Sequence, residues 1–358
     1  MHWTELGERA LPLLAFVLFV SVVAELADRA GVFEVIADRM ALAARGSVVL
    51  LWLLVVVLAT VATAVLSLDT TAVLLTPAVL ALATQLELSP MVFAFTTVWL
   101  ANTASLFLPV SNLTNLLSLH VLDETAPEFV RLTWPAAVTA VAVTVVVLAL
   151  FFRRSLCGRY SRGPLPHPHD RVLLAVAFVV CLALAVAFAL GAEIAVTSGL
   201  GALVLVVAFL LRDRAAMSWT LVPGRLLVGL AVLLVVGEAV RAGGLLDGLS
   251  RAAGSGTGVV DLLRLAGLGA AGSNLIGNLP AYLALEPAVG AAPDRLAALL
   301  VGVNVGPVIT PWASLATLLW ASRCRAAGVE VDWRGFVLRG LVLAPVAVVA
   351  ATVALALG

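Results

Sequence analysis

Apolar runs of roughly 18–25 residues, each long enough to cross a bilayer as a helix, recur along nearly the whole chain, and their interruptions are as regular as the runs. The first run covers residues 11–26 and is followed by DRAGVFEVIADRMALAAR, a piece too charged to span. Next come a run at 48–85 broken by S-L-D-T-T at 67–71, a run at 91–119 broken by A-N-T-A-S-L-F-L-P-V-S-N-L-T-N, and an unbroken run at 135–152. The Arg- and Pro-rich linker RRSLCGRYSRGPLPHPHDR leads to runs at 172–190 and 194–211. A second cycle then opens: a run at 223–240, the amphipathic RAGGLLDGLSRAAGSGTG, a run at 259–285 broken by S-N-L-I-G-N, a run at 296–321 broken by N-V-G-P-V-I-T-P-W-A-S, and a closing run at 336–357.

The order of pieces is the same in both cycles, which is the mark of an internal repeat. Placing Asn102 on Asn304 brings Pro109 onto Pro311, Leu113 onto Leu315 and Leu116 onto Leu318. Placing Glu25 on Glu238 brings Gly31 onto Gly244, and placing Asp69 on Asn278 brings Ala72 onto Ala281 and Leu74 onto Leu283. The pattern predicts an all-α polytopic membrane protein built of inverted repeats, with two re-entrant helical hairpins and two broken transmembrane helices. Residues 1–152 form the first repeat, shortened at its N-terminal end; 153–171 form a cytoplasmic linker; 172–358 form the second repeat, the whole making one integral membrane transport domain.

Composition fits this reading. Of 358 residues 63% are hydrophobic and only 12% charged, about half the charged share of a soluble domain, and the mean hydropathy is +1.14. The net charge is zero and every basic residue is Arg, so nothing points to nucleic acid. Cys157, Cys181 and Cys324 are too scattered for a metal site, and neither cofactor nor metal is expected. No cleavable signal is read in MHWTELGERA. Arginines orient the chain: with both hairpins re-entrant, fifteen fall on the side of the linker and six on the other, which puts the linker in the cytoplasm.

Polar residues at membrane depth carry the candidate chemistry. A broken helix leaves N–H and C=O groups unpaired, and such breaks survive in a bilayer only where they line protein or a cavity. Inverted-repeat transporters place substrate there, between helix ends and short polar side chains. The candidate solute ligands are Thr70, Thr71, Asn102, Thr103, Ser105, Ser111, Asn112, Ser273, Asn274, Asn278, Asn304, Thr310 and Ser314. Taken singly, a Ser or Thr in a membrane helix more often packs or bonds back to its own backbone. Asp69 differs, because a carboxylate within an apolar run is costly and marks function by default; its alternative role is as a cap on the helix that follows. Glu25 and Glu238, near the ends of their spans, are the further candidates for proton coupling or simply mark the interface.

At these motifs the chain resembles the arsenical pump membrane protein (ArsB-type) family of the ion transporter superfamily. The similar segments are LSLDTTAVLLTPAVLAL, NTASLFLPVSNLTNLLS, GNLP and, most specifically, GPVITPWASLATLLW. The resemblance implies export of arsenite and antimonite by proton antiport from the inner (plasma) membrane, with a cytosolic ATPase subunit in some members; a homodimer is also carried as an expectation. This chain departs from the family in having Asn102 and Asn304 where Asp is usual and Val308 where Lys is usual. The residues themselves argue for a neutral trihydroxy solute such as arsenous acid: the four motifs hold hydrogen-bonding groups, no Arg and no Cys. Sodium/proton exchange and organic anion (dicarboxylate) transport are the alternatives, and a non-transporting scaffold or receptor is a third class. An enzyme is not expected, since no His lies in a span motif and His167 and His169 lie in the linker.

Overall fold

The computed structural model describes residues 3–122, 125–161, 170–224, 227–232, 235, 252–289 and 292–358. Among them the regular structure is helical, with one isolated bridge between Ser47 and Arg159. The helices of the first half are α1 Trp3–Arg29, α2 Val32–Ala43, α3 Val48–Leu66, α4 Leu68–Gln85, α5 Pro90–Thr103, α6 Leu113–Leu122 and α7 Ala126–Phe151. Those of the second half are α8 Arg171–Ala189, α9 Ile194–Arg212, α10 Val259–Ile276, α11 Asn278–Val289, α12 Pro293–Val305, α13 Leu315–Ala326 and α14 Trp333–Leu357. Among the described residues eight segments are long and apolar enough to cross a membrane, including both arms of the first hairpin, α3 and α4.

Element boundaries follow local chemistry. Ser47 starts α3 by accepting from the Leu50 N–H, and Asp332 starts α14 by accepting from Gly335. Helix α7 begins nine residues before the unbroken apolar run, because Thr125 and Glu128 form a reciprocal capping box and carry the helix through Arg131. Within α4, residues Thr71–Leu75 widen into a π-turn. Pro77 lies two residues beyond it; it has no N–H to return to the carbonyl four residues back and its ring crowds that carbonyl, which is a known cause of such a bulge.

The two hairpins are built alike. Ser67, between α3 and α4, has φ 100° and ψ 161°; Gly277, between α10 and α11, has φ 96° and ψ 153°. Each tip N–H donates four residues back, Ser67 to Thr63 O and Gly277 to Ser273 O. The geometry therefore pairs Ser67 with Gly277, which sets Asn278 against Leu68 and Asp69 against Leu279. Side-chain identities alone had pointed to a register one residue different, Asp69 against Asn278. In both halves the two arms of the hairpin pack on the helix that follows: α3 and α4 on α5, α10 and α11 on α12.

The broken helices also correspond. α5 ends at Thr103 and α6 starts at Leu113; α12 ends at Val305 and α13 starts at Leu315. α7 and α14, each with an interior proline, Pro135 and Pro345, pack on one another at the centre. Close approach is enabled at two places by glycine: a Cβ on Gly302 would overlap the Ala266 carbonyl of α10, and one on Gly340 would overlap the Val308 carbonyl in the second break. At one end of the bundle Phe95, Trp99, Phe152, Trp320 and Phe336 form an aromatic cluster. Arg339 lies 5.4 Å and 5.5 Å from the ring centres of Phe95 and Phe152, a cation–π arrangement.

The first helix packs on α8 and α9, the two runs that have no counterpart in the first half. On the face where α7 ends, Tyr160 donates its hydroxyl to Ala41 O at 2.7 Å and its N–H to Gly46 O at 3.0 Å. This brings the arginines around the α2–α3 turn and those of the linker to the same side.

Candidate functional site

A cavity of about 1060 Å³ opens between the two hairpin tips. Leu68, Asp69 and Thr70 come from the first tip; Gly277, Asn278, Leu279 and Pro280 come from the second. Asn112 closes the first break onto it and Trp312 the second. Helix α1 adds Ser21, Ala24 and Glu25, and α13 adds a leucine wall, Leu315, Leu318 and Leu319, with Arg323 beyond it. Leu221, Val222, Pro223, Gly224, Gly229 and Leu230 cover another side. The arrangement combines a few convergent polar groups with a mainly apolar lining, as small-solute sites do.

Asp69 stands in the first turn of α4, half-buried, and its Oδ1 is shielded from solvent with no hydrogen-bond partner. The cap of that helix is Ser67, which accepts from the Thr70 N–H at 3.4 Å and donates to Thr70 Oγ1 at 3.1 Å. The capping role that could explain the carboxylate is thus taken by another side chain. Glu25 is held differently: Arg29, one turn later, donates to its Oε1 at 2.9 and 3.1 Å and also reaches the Ala216 carbonyl. Glu238 lies outside the described residues.

Of the thirteen solute-ligand candidates, Thr70, Asn112 and Asn278 line the cavity. The others do not line it; some bond back to their own helix or turn and some bond across to another element. Thr71 accepts from the Thr63 hydroxyl at 3.1 Å; Thr103 donates to Trp99 O and accepts from Thr144; Ser273 donates to Gly269 O. Ser111 bonds the Ala64 carbonyl across to α3 at 2.9 Å. Ser314 caps α13 and shares a 3.0 Å bond with Thr317.

The asparagines organise the two breaks. Asn304, at the end of α12, accepts from Asn112 Nδ2 at 2.8 Å and Thr114 Oγ1 at 2.7 Å and donates to Asn115 Oδ1 at 2.7 Å. Asn115 in turn donates to the carbonyls of Ser105 and Leu108, and Asn112 donates to Ser105 Oγ at 3.3 Å. In the other half, Asn274 Oδ1 accepts from the N–H groups of Ile309 and Thr310, its Nδ2 donates to Gly306 O, and its carbonyl accepts from Thr310 Oγ1 and Trp312 Nε1. Asn102, the partner of Asn304 by position, only returns a bond to Val98 O at 2.9 Å; its Oδ1 is buried without a partner.

Sequence reasoning did not single out Ser21, Trp312 or Arg323. Trp312 lay in the quoted second break, and its indole donor was the usable signal. Arg323 lies a helix away from every break and nothing in its spacing marks it. Among the described residues no group of His, Cys, Asp and Glu has the arrangement of a metal site, and no Cys lines the cavity.

A family model described as a citrate transporter, CitMHS, matches residues 6–317. Curated proteins similar to the chain are arsenical pump membrane proteins. One from Escherichia coli is 29% identical, with 90% of this chain and 81% of that protein covered. Another, from Yersinia enterocolitica, is 28% identical over the same shares. Among solved structures the fold is similar to that of the YdaH transporter of Alcanivorax borkumensis, whose topology is described as unusual. That match has a TM-score of 0.63 at 16% identity and covers 99% of this chain and 87% of that one.

Proposed function

The chain belongs to the citrate transporter (CitMHS) family, and from that premise we propose that it exports arsenite and antimonite in exchange for protons. Family membership and its apolar helices make it a multi-pass membrane transporter rather than an enzyme. The observation that carries the solute and coupling assignment is the Asp69 carboxylate, at the cavity wall with Asn278 of the second tip, its Oδ1 buried and unpartnered.

Arsenous acid is neutral at pH 7 and carries three hydroxyls. It needs donors and acceptors and no countercharge, which Thr70 and Asn278 supply beside Asp69. A deprotonated Asp69 accepts hydrogen bonds from the solute hydroxyls. When a proton takes that place, the carboxyl loses acceptor capacity and the solute loses its strongest partner. Proton and solute then compete for one group, which is the requirement for exchange. The similarity to curated arsenical pumps supports the solute class. The acidic lining supports it too: Asp69 and Glu25 face the cavity with Arg323 as the one cation among its described lining residues, an unfavourable setting for a multiply charged carboxylate solute.

Alternating access rests on the relation between the halves. We read residues 1–152 and 172–358 as inverted repeats joined by a cytoplasmic linker, with the hairpins entering from opposite sides. The matched dihedrals of Ser67 and Gly277 and the matched limits of the two broken helices support this.

A second reading, an organic anion transporter, is favoured by Arg323 in the cavity and by the description of the family model. Expression in an arsenite-sensitive bacterial host, together with uptake of radiolabelled arsenite and citrate into everted vesicles under a pH gradient, separates the two. Resistance and arsenite uptake are expected; citrate movement without arsenite movement would replace the first reading by the second.

A further inference from the structure

A second depression, of about 550 Å³, lies away from the transport cavity, between α2, α3 and α8. Its floor is apolar: Ile36 and Met40 from α2, Leu54 from α3, Leu174 and Phe178 from α8. Two arginines stand at its rim, Arg39 from α2 and Arg171 from the first turn of α8. Both are exposed, and neither makes a hydrogen bond or ion pair among the described residues. The neighbouring acid is occupied elsewhere: Asp170 binds Arg212 at 2.8 Å.

We propose that this groove binds one anionic phospholipid, its phosphate held between Arg39 and Arg171 and an acyl chain laid along the apolar floor. The two arginines come from different halves of the chain and line one groove, and a single phosphate bridging them would be held by charge-assisted, directional guanidinium contacts. The floor continues the surface that faces lipid, where Phe178 is 49% exposed. The groove opens on the side where Tyr160 ties the linker to the α2–α3 turn, so Arg45, Arg153, Arg154 and Arg159 share its surroundings. By the positive-inside rule that is the cytoplasmic side, whose leaflet carries anionic lipid, and basic pockets between helices on that side suit such headgroups. The acids of α2 do not spoil the site. Glu34 and Asp38 lie one helical turn apart on a neighbouring stripe and do not line the groove.

The test is lipid retention. Purified protein is equilibrated with vesicles of equal phosphatidylglycerol and phosphatidylcholine, re-isolated in detergent and weighed intact by native mass spectrometry. The wild type is expected to keep one phosphatidylglycerol in preference to phosphatidylcholine. R39Q/R171Q should lose about thirtyfold of that preference, from two surface charges acting on one anion. A175W, which fills the floor and leaves both arginines, should lose the bound lipid as well. Melting in detergent, expected to be unchanged because these positions are exposed, shows that the variants are folded. Equal retention of both lipids by the wild type, or an undiminished preference in R39Q/R171Q, overturns the proposal. So does full displacement by soluble glycerol phosphate, which would make the site a phosphate site without the acyl chain. Retention that appears only after residues 162–169 are replaced by a Gly-Ser linker would give the groove to the linker and overturn it equally.

Discussion

At residues 104–112 the chain leaves α-helix; Asn115 and Thr133 of its own half take its carbonyls, and Asn304 of the far half also reaches across to Asn112, Thr114 and Asn115. At 306–314 it leaves helix and is held from its own half: Asn274 of the preceding hairpin takes the N–H groups of Ile309 and Thr310 and the indole of Trp312. Both solutions meet the same demand, that freed backbone groups at membrane depth find partners within the protein. They differ in what they tie together. The second break is bonded to its own hairpin through Asn274, whereas the first is bonded to its own hairpin through Ser111 and is also latched to the end of α12. The position matching Asn304 in the first half, Asn102, latches nothing. Halves that match in element order and backbone geometry are therefore unequal in hydrogen bonding, and the tips are unequal in charge, a carboxylate on one and an amide on the other.

The largest effect is expected from making the tips alike. Asp69→Asn removes the one acid in the two tips while keeping its shape, and should abolish pH-gradient-driven solute uptake into everted vesicles while protein level and insertion stay normal. Full gradient-driven activity in that variant would remove Asp69 from the coupling and pass the role to Glu25 or Glu238.

Next come the latches. Asn304→Ala leaves two buried polar atoms, Thr114 Oγ1 and Asn115 Oδ1, without a partner and should cost about 2 kcal/mol or more, at about 1–3 kcal/mol for each stranded group. Asn274→Ala, which frees two N–H groups of the second break, should cost a similar amount. Asn102→Ala, which loses one bond back to its own helix, should cost about 1 kcal/mol or less. Thermal unfolding in detergent, followed by loss of the monodisperse chromatographic peak, measures all three. Equal losses at Asn102 and Asn304 would show that the two breaks are held alike after all.

A smaller pair addresses the tips' backbone. Gly277→Ala has room for its Cβ, so the cost is the conformational one of a side chain at φ 96°, about 1–2 kcal/mol. Ser67→Gly relieves the same strain but gives up the Ser67–Thr70 bonds, so its melting point should hardly move. A large loss there would mean that the cap matters more than the dihedral.

The smallest effect lies at the rim. The bond from Arg212, with the N–H groups of Leu173 and Val172, holds the Asp170 carboxyl below its usual range. A group lowered in the folded state contributes stability above the ordinary carboxylate range, and the contribution fades as pH falls through the folded value. Asp170→Asn should lower the melting point slightly at pH 7 and not at all in strong acid. Exposed pairs are weak, so a large change would point to a structural role for the linker end.

Much of this was legible before any coordinates. Long apolar runs in a chain with few charges admit one structural class, because a spanning segment must satisfy its own backbone bonds. The helix limits at both breaks fell where Pro109, Pro311 and the clustered Asn, Ser and Thr placed them. The start of α7 did not, since Glu128 and Arg131 interrupt the apolar run while Thr125 and Glu128 cap the helix that contains them. The register of the tips was misread by one residue because side-chain identity and backbone dihedral are separate properties; Ser67 and Gly277 share a φ and no chemistry.

The sequence by itself determined the helical membrane class and the positions of the breaks, which follow from period, length and the cost of polar groups in hydrocarbon. Only the tertiary structure decided which polar groups face the cavity and which are spent on packing. Asn278 lines the cavity, Asn112 reaches its wall with its amide spent on Asn304 and Ser105, and Asn274 and Asn304 are consumed holding loops, though all four are the same residue in similar contexts. Arg323 reaches the cavity from a helix with no motif, and Asn102 stands idle where its counterpart latches. Such outcomes depend on which donor meets which acceptor across two hundred residues of chain, and a one-dimensional pattern carries no record of those distances.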